Sequence, residues 1–200
     1  MRITGGTLRS RQLRAPRGQA TRPTSDRVRE ALFAILGSAG ALTGAKVLDL
    51  YAGTGALAFE ALSRGAAHAT LVESSRDALV VLRANVAGLG LQGQTRIVAG
   101  DVRAHVSSLA RHGRFDLVLA DPPWELVDEG APQAVLAALA QSGGLADHAT
   151  VVLEHAARTA SPPIDALVLK DTRRYGDTAL AFFKTGILPA PPPAPRPTSE

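Results

Sequence analysis

Asp121-Pro122-Pro123-Trp124 follows an apolar run of strand length, residues 115–120. Proline cannot donate to a sheet ladder, so Pro122 ends the strand or lies beyond it. The residue before a proline is driven toward extended geometry, which holds Asp121 extended at the strand's carboxyl end. The loop presents a carboxylate, carbonyls without matching N–H groups and an indole face. That set suits an amino group on a flat ring: acceptors for its N–H bonds and an aromatic surface to stack on. A proline-terminated strand with an incidental tryptophan is the plainer reading of the same residues.

A second group lies upstream. Asp49-Leu50-Tyr51-Ala52-Gly53-Thr54-Gly55 joins a strand to a helix. Two glycines permit a tight turn and close approach of a ligand to bare backbone, and the helix N-terminus behind them favours an anionic group. Glu73 falls 20 residues after Gly53, at the end of the next apolar run, where an acid bonds ribose hydroxyls. Asp101, followed by Val102, ends a third run and could accept from an adenine amino group; a helix cap is the plain alternative. Three such ends, phased on three strands, describe a nucleoside cofactor site. NAD and S-adenosylmethionine both fit that much, because G-x-G-x-x-A is a permitted dinucleotide fingerprint. Asp49 separates them. A carboxylate inside the strand would repel a pyrophosphate but could hold the amino end of a methionine moiety, directly or through water.

These residues need elements to carry them. Caps at Thr24, Ser25 and Asp26 precede a helical pattern over 27–36, with Val28, Leu32 and Ile35 on one face. Strands are expected over 46–51, 69–73, 95–98, 115–120, 150–154, 166–169 and 178–184. Helices are expected over 57–64, 75–87, 102–109 and 132–141. Strands alternating with helices specify an α/β fold with a mostly parallel sheet. The link over 171–177 is too short for a parallel crossover, so the last pair is expected to be antiparallel. Residues 1–36 form a basic N-terminal arm and helix, with an extended segment or small hairpin outside the core. Residues 37–186 form the cofactor-binding domain, and the Pro/Ala-rich stretch 187–200 is expected to be a disordered tail.

The charge is concentrated. Residues 1–36 hold eight arginines against Asp26 and Glu30, a net of +6, while the chain as a whole is +4, which leaves −2 for the remainder. A basic arm on a near-neutral body points to a polyanionic partner, against the bland reading of a solvated tail. Its candidate RNA contacts are Arg9, Arg11, Arg22, Thr24, Arg27 and Arg29. Three of these arginines sit near a helix start, where the dipole favours anions, so an incoming phosphate would rationalise them. Cysteine is absent, which excludes disulfides and thiolate metal sites. The five histidines lack metal-ligand spacing. With no apolar signal segment and no bilayer-length run, a cytoplasmic protein is the default.

At this point the chain resembles a known family. Asp121-Pro122-Pro123-Trp124 is similar to the (Asp/Asn)-Pro-Pro-aromatic motif of S-adenosylmethionine-dependent amino methyltransferases. The stretch 21–33, Thr-Arg-Pro-Thr-Ser-Asp-Arg-Val-Arg-Glu-Ala-Leu-Phe, resembles the N-terminal signature of the bacterial 16S ribosomal RNA guanine(966)-N(2) methyltransferases. Arg174-Tyr-Gly-Asp-Thr178 and the opening Met1-Arg2-Ile3 are similar to that family too. The resemblance implies a Rossmann-like methyltransferase fold with helices on both faces of a seven-stranded sheet and a reversed last strand. It implies S-adenosylmethionine as cofactor, no metal, and a guanine of the small ribosomal subunit, or of its assembly intermediate, as substrate. A single copy working on that partner is the expectation. Catalysis would fall to Asp121, Pro122, Pro123 and Trp124. The cofactor would meet Asp49, Tyr51, Gly53, Thr54, Gly55, Glu73, Asp101, Val102 and Asp121. Trp124 stands where phenylalanine or tyrosine is more usual, which preserves stacking. The rivals are methylation of adenine N6 or of a protein glutamine, a non-catalytic RNA-binding protein, and an NAD-linked oxidoreductase. For the last, no proton-transfer pair stands out.

Overall fold

Short apolar runs separated by glycine turns assemble, in a computed structural model, into one seven-stranded sheet. The structure describes residues 1–16, 25–111 and 113–186. In chain order the elements are α1 (Asp26–Ser38), β1 (Lys46–Leu50), α2 (Ala56–Ser63), β2 (His68–Glu73), α3 (Arg76–Leu89), β3 (Thr95–Ala99) and α4 (Val102–Arg111). After these come β4 (Phe115–Ala120), α5 (Trp124–Asp128), α6 (Ala131–Gln141), β5 (Leu145–Ala156), β6 (Leu167–Tyr175) and β7 (Thr178–Thr185). The order across the sheet is β3-β2-β1-β4-β5-β7-β6. β3, β2, β1, β4 and β5 pair in parallel, and β7 runs antiparallel to both β5 and β6. The expected fold, including the reversed last strand, is the one observed.

Strand order reverses between β1 and β4, whose register pairs Leu50 with Ala120. Tyr51 and Asp121 are the next residues on each chain, so both extend into the crevice where such sheets bind ligands. The two-residue period of a strand sorts side chains between two cores. Val47, Leu71, Leu119, Val152 and Leu180 face one core with Leu32 and Phe33 of α1, Ala58 and Phe59 of α2, and Leu82 of α3. Leu48, Val72, Val118, Leu153 and Phe183 face the other, with Leu109 of α4, Val127 of α5 and Leu136 of α6.

Four elements depart from expectation. The N-terminal segment is a hairpin, closed by an Arg2–Gln12 bridge and by Ile3 N–H to the Arg11 carbonyl at 3.1 Å, but it belongs to the core: Ile3 and Leu13 are buried. β5 and β6 are longer than their apolar runs. β6 is an edge strand whose exposed Lys170, Arg173 and Arg174 obey no alternation, and its ladder to β7 carries it instead. α5 begins at Trp124 with Pro123 as its N-cap, so the indole starts a short helix and not an open loop.

Arg29 needs a correction as a phosphate contact. It is 1% exposed. Its guanidinium donates to the Arg2 carbonyl at 2.6 Å and to Asp26 at 2.9 Å, and Glu60 lies 3.7 Å away. Glu60 is fully buried on α2 and also accepts from Thr4 N–H at 2.8 Å and Arg64 at 2.7 Å. A buried carboxylate must be paired. Arg29 therefore ties the hairpin and α1 to α2, facing inward.

Candidate active site

The turn after β1 holds three left-handed residues: Tyr51 at φ 64, Gly53 at φ 55 and Gly55 at φ 84. A Cβ at Gly55 would run into the Phe59 ring and the Leu82 side chain, so packing demands glycine there. At Gly53 the nearest atom to a Cβ would be the Tyr51 carbonyl at 4.0 Å, which leaves bare backbone facing open space. The turn is clamped from β2: Glu73 accepts from Gly53 N–H and from Ser75 N–H, each at 2.7 Å. It is clamped from α3 as well, where the Asn85 amide donates to the Thr54 carbonyl at 3.0 Å. Asn85 also accepts from Arg14 N–H at 2.9 Å, tying the hairpin to the turn. The Thr54 hydroxyl contacts the Met1 sulfur at 3.7 Å.

Asp49 is 1% exposed beneath this turn. One carboxylate oxygen accepts from Ala58 N–H, in the first turn of α2, at 3.0 Å. The other is buried and has no hydrogen-bond partner among the described residues. Burial pushes the Asp49 carboxyl up to about 8; the Ala58 bond opposes this, and the Asp121 and Glu73 charges add to it. An acid with one unmet buried oxygen and two like-charged neighbours is built for a cation. An ammonium arriving there would satisfy the oxygen and restore the ionised form.

Half-buried Tyr51 is pushed up to about 12, first by burial and then by the charge of Asp101. Asp101 is exposed and takes the cap of α4, accepting from Arg103 N–H at 2.8 Å. The Arg103 guanidinium, at 2.7 Å, holds its carboxyl below the usual range. Val102 has its side chain in the core and only its backbone near the edge.

Side-chain parity and a shared cleft bring the acids together. Asp49 and Glu73 follow Val47 and Leu71 by two residues, and Asp121 follows Leu119, so all three belong to the α1–α2 face. Asp121 lines a narrow cleft there with Leu32, Leu57, Val152, Leu180 and Glu154. Pro122 is buried, Pro123 exposed and Trp124 half-buried. Glu154, at the end of its apolar run on β5, is 7% exposed and was not singled out by any sequence motif.

The remaining predicted residues scatter. Arg9, Arg11 and Arg27 are exposed, with Arg11 donating to the Gly88 carbonyl at 2.8 Å. Arg22, Thr24 and the 187–200 tail lie outside the described residues. Among the described residues no group of three or more His, Asp or Glu is placed to hold a metal, and no helix is long and apolar enough to cross a membrane.

Comparison with known proteins adds three likenesses and a family. Residues 1–184 match the family model described as conserved hypothetical protein 95. Ribosomal RNA small subunit methyltransferase D of Escherichia coli K12 is 39% identical over 167 residues, covering 83% of this chain and 80% of that one. The solved Escherichia coli protein yhhF is 36% identical with a TM-score of 0.78, covering 92% of this chain and 97% of that one. A solved hypothetical protein of Thermus thermophilus is 33% identical with a TM-score of 0.76, covering 91% and 98% respectively.

Proposed function

The chain belongs to the conserved hypothetical protein 95 family and is an S-adenosylmethionine-dependent ribosomal RNA methyltransferase; on that premise we propose that its acceptor is the exocyclic N2 of a guanine in 16S rRNA, at position 966. One observation carries this reading. The Asp121-Pro122-Pro123-Trp124 corner stands at the switch point of the sheet, on the same face as a buried acid with an unmet oxygen.

The residues fit the cofactor. Asp49 would take the amino end of the methionine moiety. Glu73, whose oxygens keep lone pairs beyond their two backbone bonds, would take ribose hydroxyls. Asp101, whose carboxylate also accepts from Arg103, would accept from the adenine amino group, and the backbone at Tyr51, Gly53, Thr54, Gly55 and Val102 would line the rest. When bound, the cofactor supplies a methyl that is already activated.

The chain's own task is the amine. The N2 lone pair of guanine is delocalised into the ring, which makes it a poor nucleophile. Asp121 and the Pro122 carbonyl would accept its two N–H bonds and draw the nitrogen toward pyramidal geometry. Asp121 would also stabilise the positive charge that develops there, and the proton leaves toward its carboxylate. Trp124 would stack on the base, worth on the order of 1–3 kcal/mol. A paired base must leave its stack to reach this corner.

Mass spectrometry of rRNA from cells with and without the protein tests the reading. The expected result is loss of one N2-methylguanosine from 16S rRNA, restored by purified protein and S-adenosylmethionine. Loss of a methyladenosine, or of nothing, would assign the activity elsewhere.

The arm gives a second test. Replacing Arg9, Arg11 and Arg27 with Ala is expected to weaken RNA binding and to flatten its salt dependence by about 0.7–0.9 per phosphate contact in log–log slope. Arg29→Ala should instead destabilise the fold, by roughly 3–5 kcal/mol, because it leaves Glu60 short of a buried partner. Fluorescence anisotropy across a salt series, set beside thermal melts, separates the two. An unchanged slope in the triple variant would remove the arm from RNA binding.

A further inference from the structure

A buried histidine at the end of β5 and the hydroxyls around it belong to neither the cofactor arrangement nor the methyl-transfer corner. Directly opposed residues share one face of a sheet. His155 of β5 pairs with Ala179 of β7, and Ala179 with Arg174 of β6, so the three form a row. Leu153, Ala181 and Thr172 form the row beside it. Leu153 and Ala181 belong to the α4–α6 core, which puts both rows on that face. Two alanines keep β7 low there, and the segment 157–163 crosses over it. The Ser161 hydroxyl spans the gap, 3.1 Å from His155 Nε2 and 2.8 Å from the Thr172 hydroxyl. Burial keeps the His155 imidazole neutral, and its Nδ1 lies 3.0 Å from the Ala156 carbonyl, which only accepts. Nδ1 therefore carries the proton, Nε2 accepts from Ser161, and Ser161 accepts from Thr172. That relay pins the segment to β6.

Between the pinned segment and β6 runs an open trough of about 500 Å³, lined by Ala160, Ser161, Leu169, Thr172, Arg173 and Arg174. The hydroxyl protons are spent on its wall, so the donors left to it are guanidinium groups. Arg173 is exposed and commits its Nε to Asp171 at 2.7 Å, which leaves its terminal nitrogens. Arg174 is exposed as well. β6 carries Lys170, Arg173 and Arg174 against Asp171, a net of +2, in a part of the chain that sums to −2 from residue 37 onward. Planar guanidinium forks match phosphate oxygens in pairs.

The trough opens at the edge of the sheet that carries the Asp121 corner. Leu153 pairs with Ala120, so the row from His155 to Arg174 is level with Pro122. Three strand spacings separate Arg174 from β4, about 14 Å, the span of a few nucleotides. The segment also reaches back toward the corner: Arg158 faces Asp128 of α5 at 3.9 Å, and α5 begins at Trp124. The N-terminal hairpin is bonded to α2 and α3 instead, toward the β1–β2 side of the sheet. The corner thus lies between two basic regions. We propose that the trough holds a backbone phosphate of the RNA substrate, gripped by Arg173 and Arg174, a few nucleotides from the acceptor base. The proposal rests on RNA as the substrate and not on which base accepts the methyl.

Arg174→Ala tests this beside Arg114→Ala, which removes the same charge from an exposed side chain at the opposite end of the sheet, just before β4. Anisotropy of labelled 16S rRNA across a salt series gives binding, and methyl incorporation gives kcat and KM. In Arg174→Ala the log–log salt slope should fall by about 0.7–0.9, one phosphate contact. KM for RNA should rise about 10-fold or more, the worth of a hydrogen bond to a charged group, while kcat and S-adenosylmethionine binding hold. Arg174→Lys keeps the charge and should restore the slope. Arg173→Ala combined with Arg174→Ala should deepen the loss, with thermal melts at the wild-type value. An unchanged slope and KM in the double variant overturns the proposal. So does an equal fall in Arg114→Ala, which would make the effect one of net charge, or a lower kcat at unchanged KM. The guanine reading fails differently: wild type would place no methyl on a guanine N2, while the salt slope would still report on the trough.

Discussion

Asp121→Ala is expected to lower the rate of methyl transfer by roughly 10²–10³ or more, while S-adenosylmethionine still binds. The Pro122 carbonyl and the Trp124 face survive the substitution, so the base can still enter. What goes, on the proposed reading, is the charged acceptor for the amine, and with it the stabilisation of positive charge on the nitrogen. Cofactor affinity should hold or rise slightly, because Asp121 is one of two like charges that oppose ionisation of Asp49. Asp121→Asn is the informative control. It keeps an oxygen that accepts but carries no charge, so it should retain more activity than the alanine variant. Single-turnover transfer of labelled methyl, read beside calorimetric binding, measures both halves. Alanine-variant turnover near wild type would leave the corner without a chemical role.

The legible parts of this chain were those in which a local pattern forces a local structure. Residues 46–50, 69–73 and 115–120 are apolar runs that end in an acid, a glycine turn or a proline, and the sheet edge follows from them. The shortness of the link, read as 171–177 and only 176–177 in the structure, was enough to reverse the last strand. What resisted reading depended on partners far away in sequence. Arg29 lies on an amphipathic helix among other arginines, and nothing local says that Glu60 waits for it in the core. Ile3 and Leu13 are two apolar residues in a polar hairpin, buried because Glu60 and Ser63 of α2 anchor the backbone around them. β6 has no alternation because its pairing with β7 is its main support. α5 is five residues long, shorter than any helical period can reveal. Glu154 had a usable signal: Thr-Val-Val-Leu-Glu repeats the pattern of an apolar run ending in an acid seen at Glu73. What it lacked was a motif around it.

Asp49→Asn is expected to make the cofactor-free protein more stable at alkaline pH and a worse binder. The carboxyl titrates at about 8 when folded and near 3.8 when unfolded. Between those values the folded state holds a proton that the unfolded state has released, so stability is full below about 4 and is lost as pH rises toward 8. The loss is on the order of several kcal/mol at most. Asparagine cannot ionise, so the melting temperatures of the two proteins should diverge from pH 4 to pH 8, with the variant higher. Binding runs the other way. An ammonium at the unmet oxygen favours the ionised acid, so wild type should release a proton on binding S-adenosylmethionine between about pH 6 and 8. That release appears as a binding enthalpy that changes with the ionisation heat of the buffer. In the variant the dependence should vanish and affinity should fall roughly 10–10²-fold, the worth of one hydrogen bond to a charged group. If the variant bound as tightly as wild type with the same buffer dependence, the buried acid would not be the cofactor's anchor. If the acid anchors the cofactor as proposed, the site gives up stability in the empty protein to hold a charge that its ligand balances.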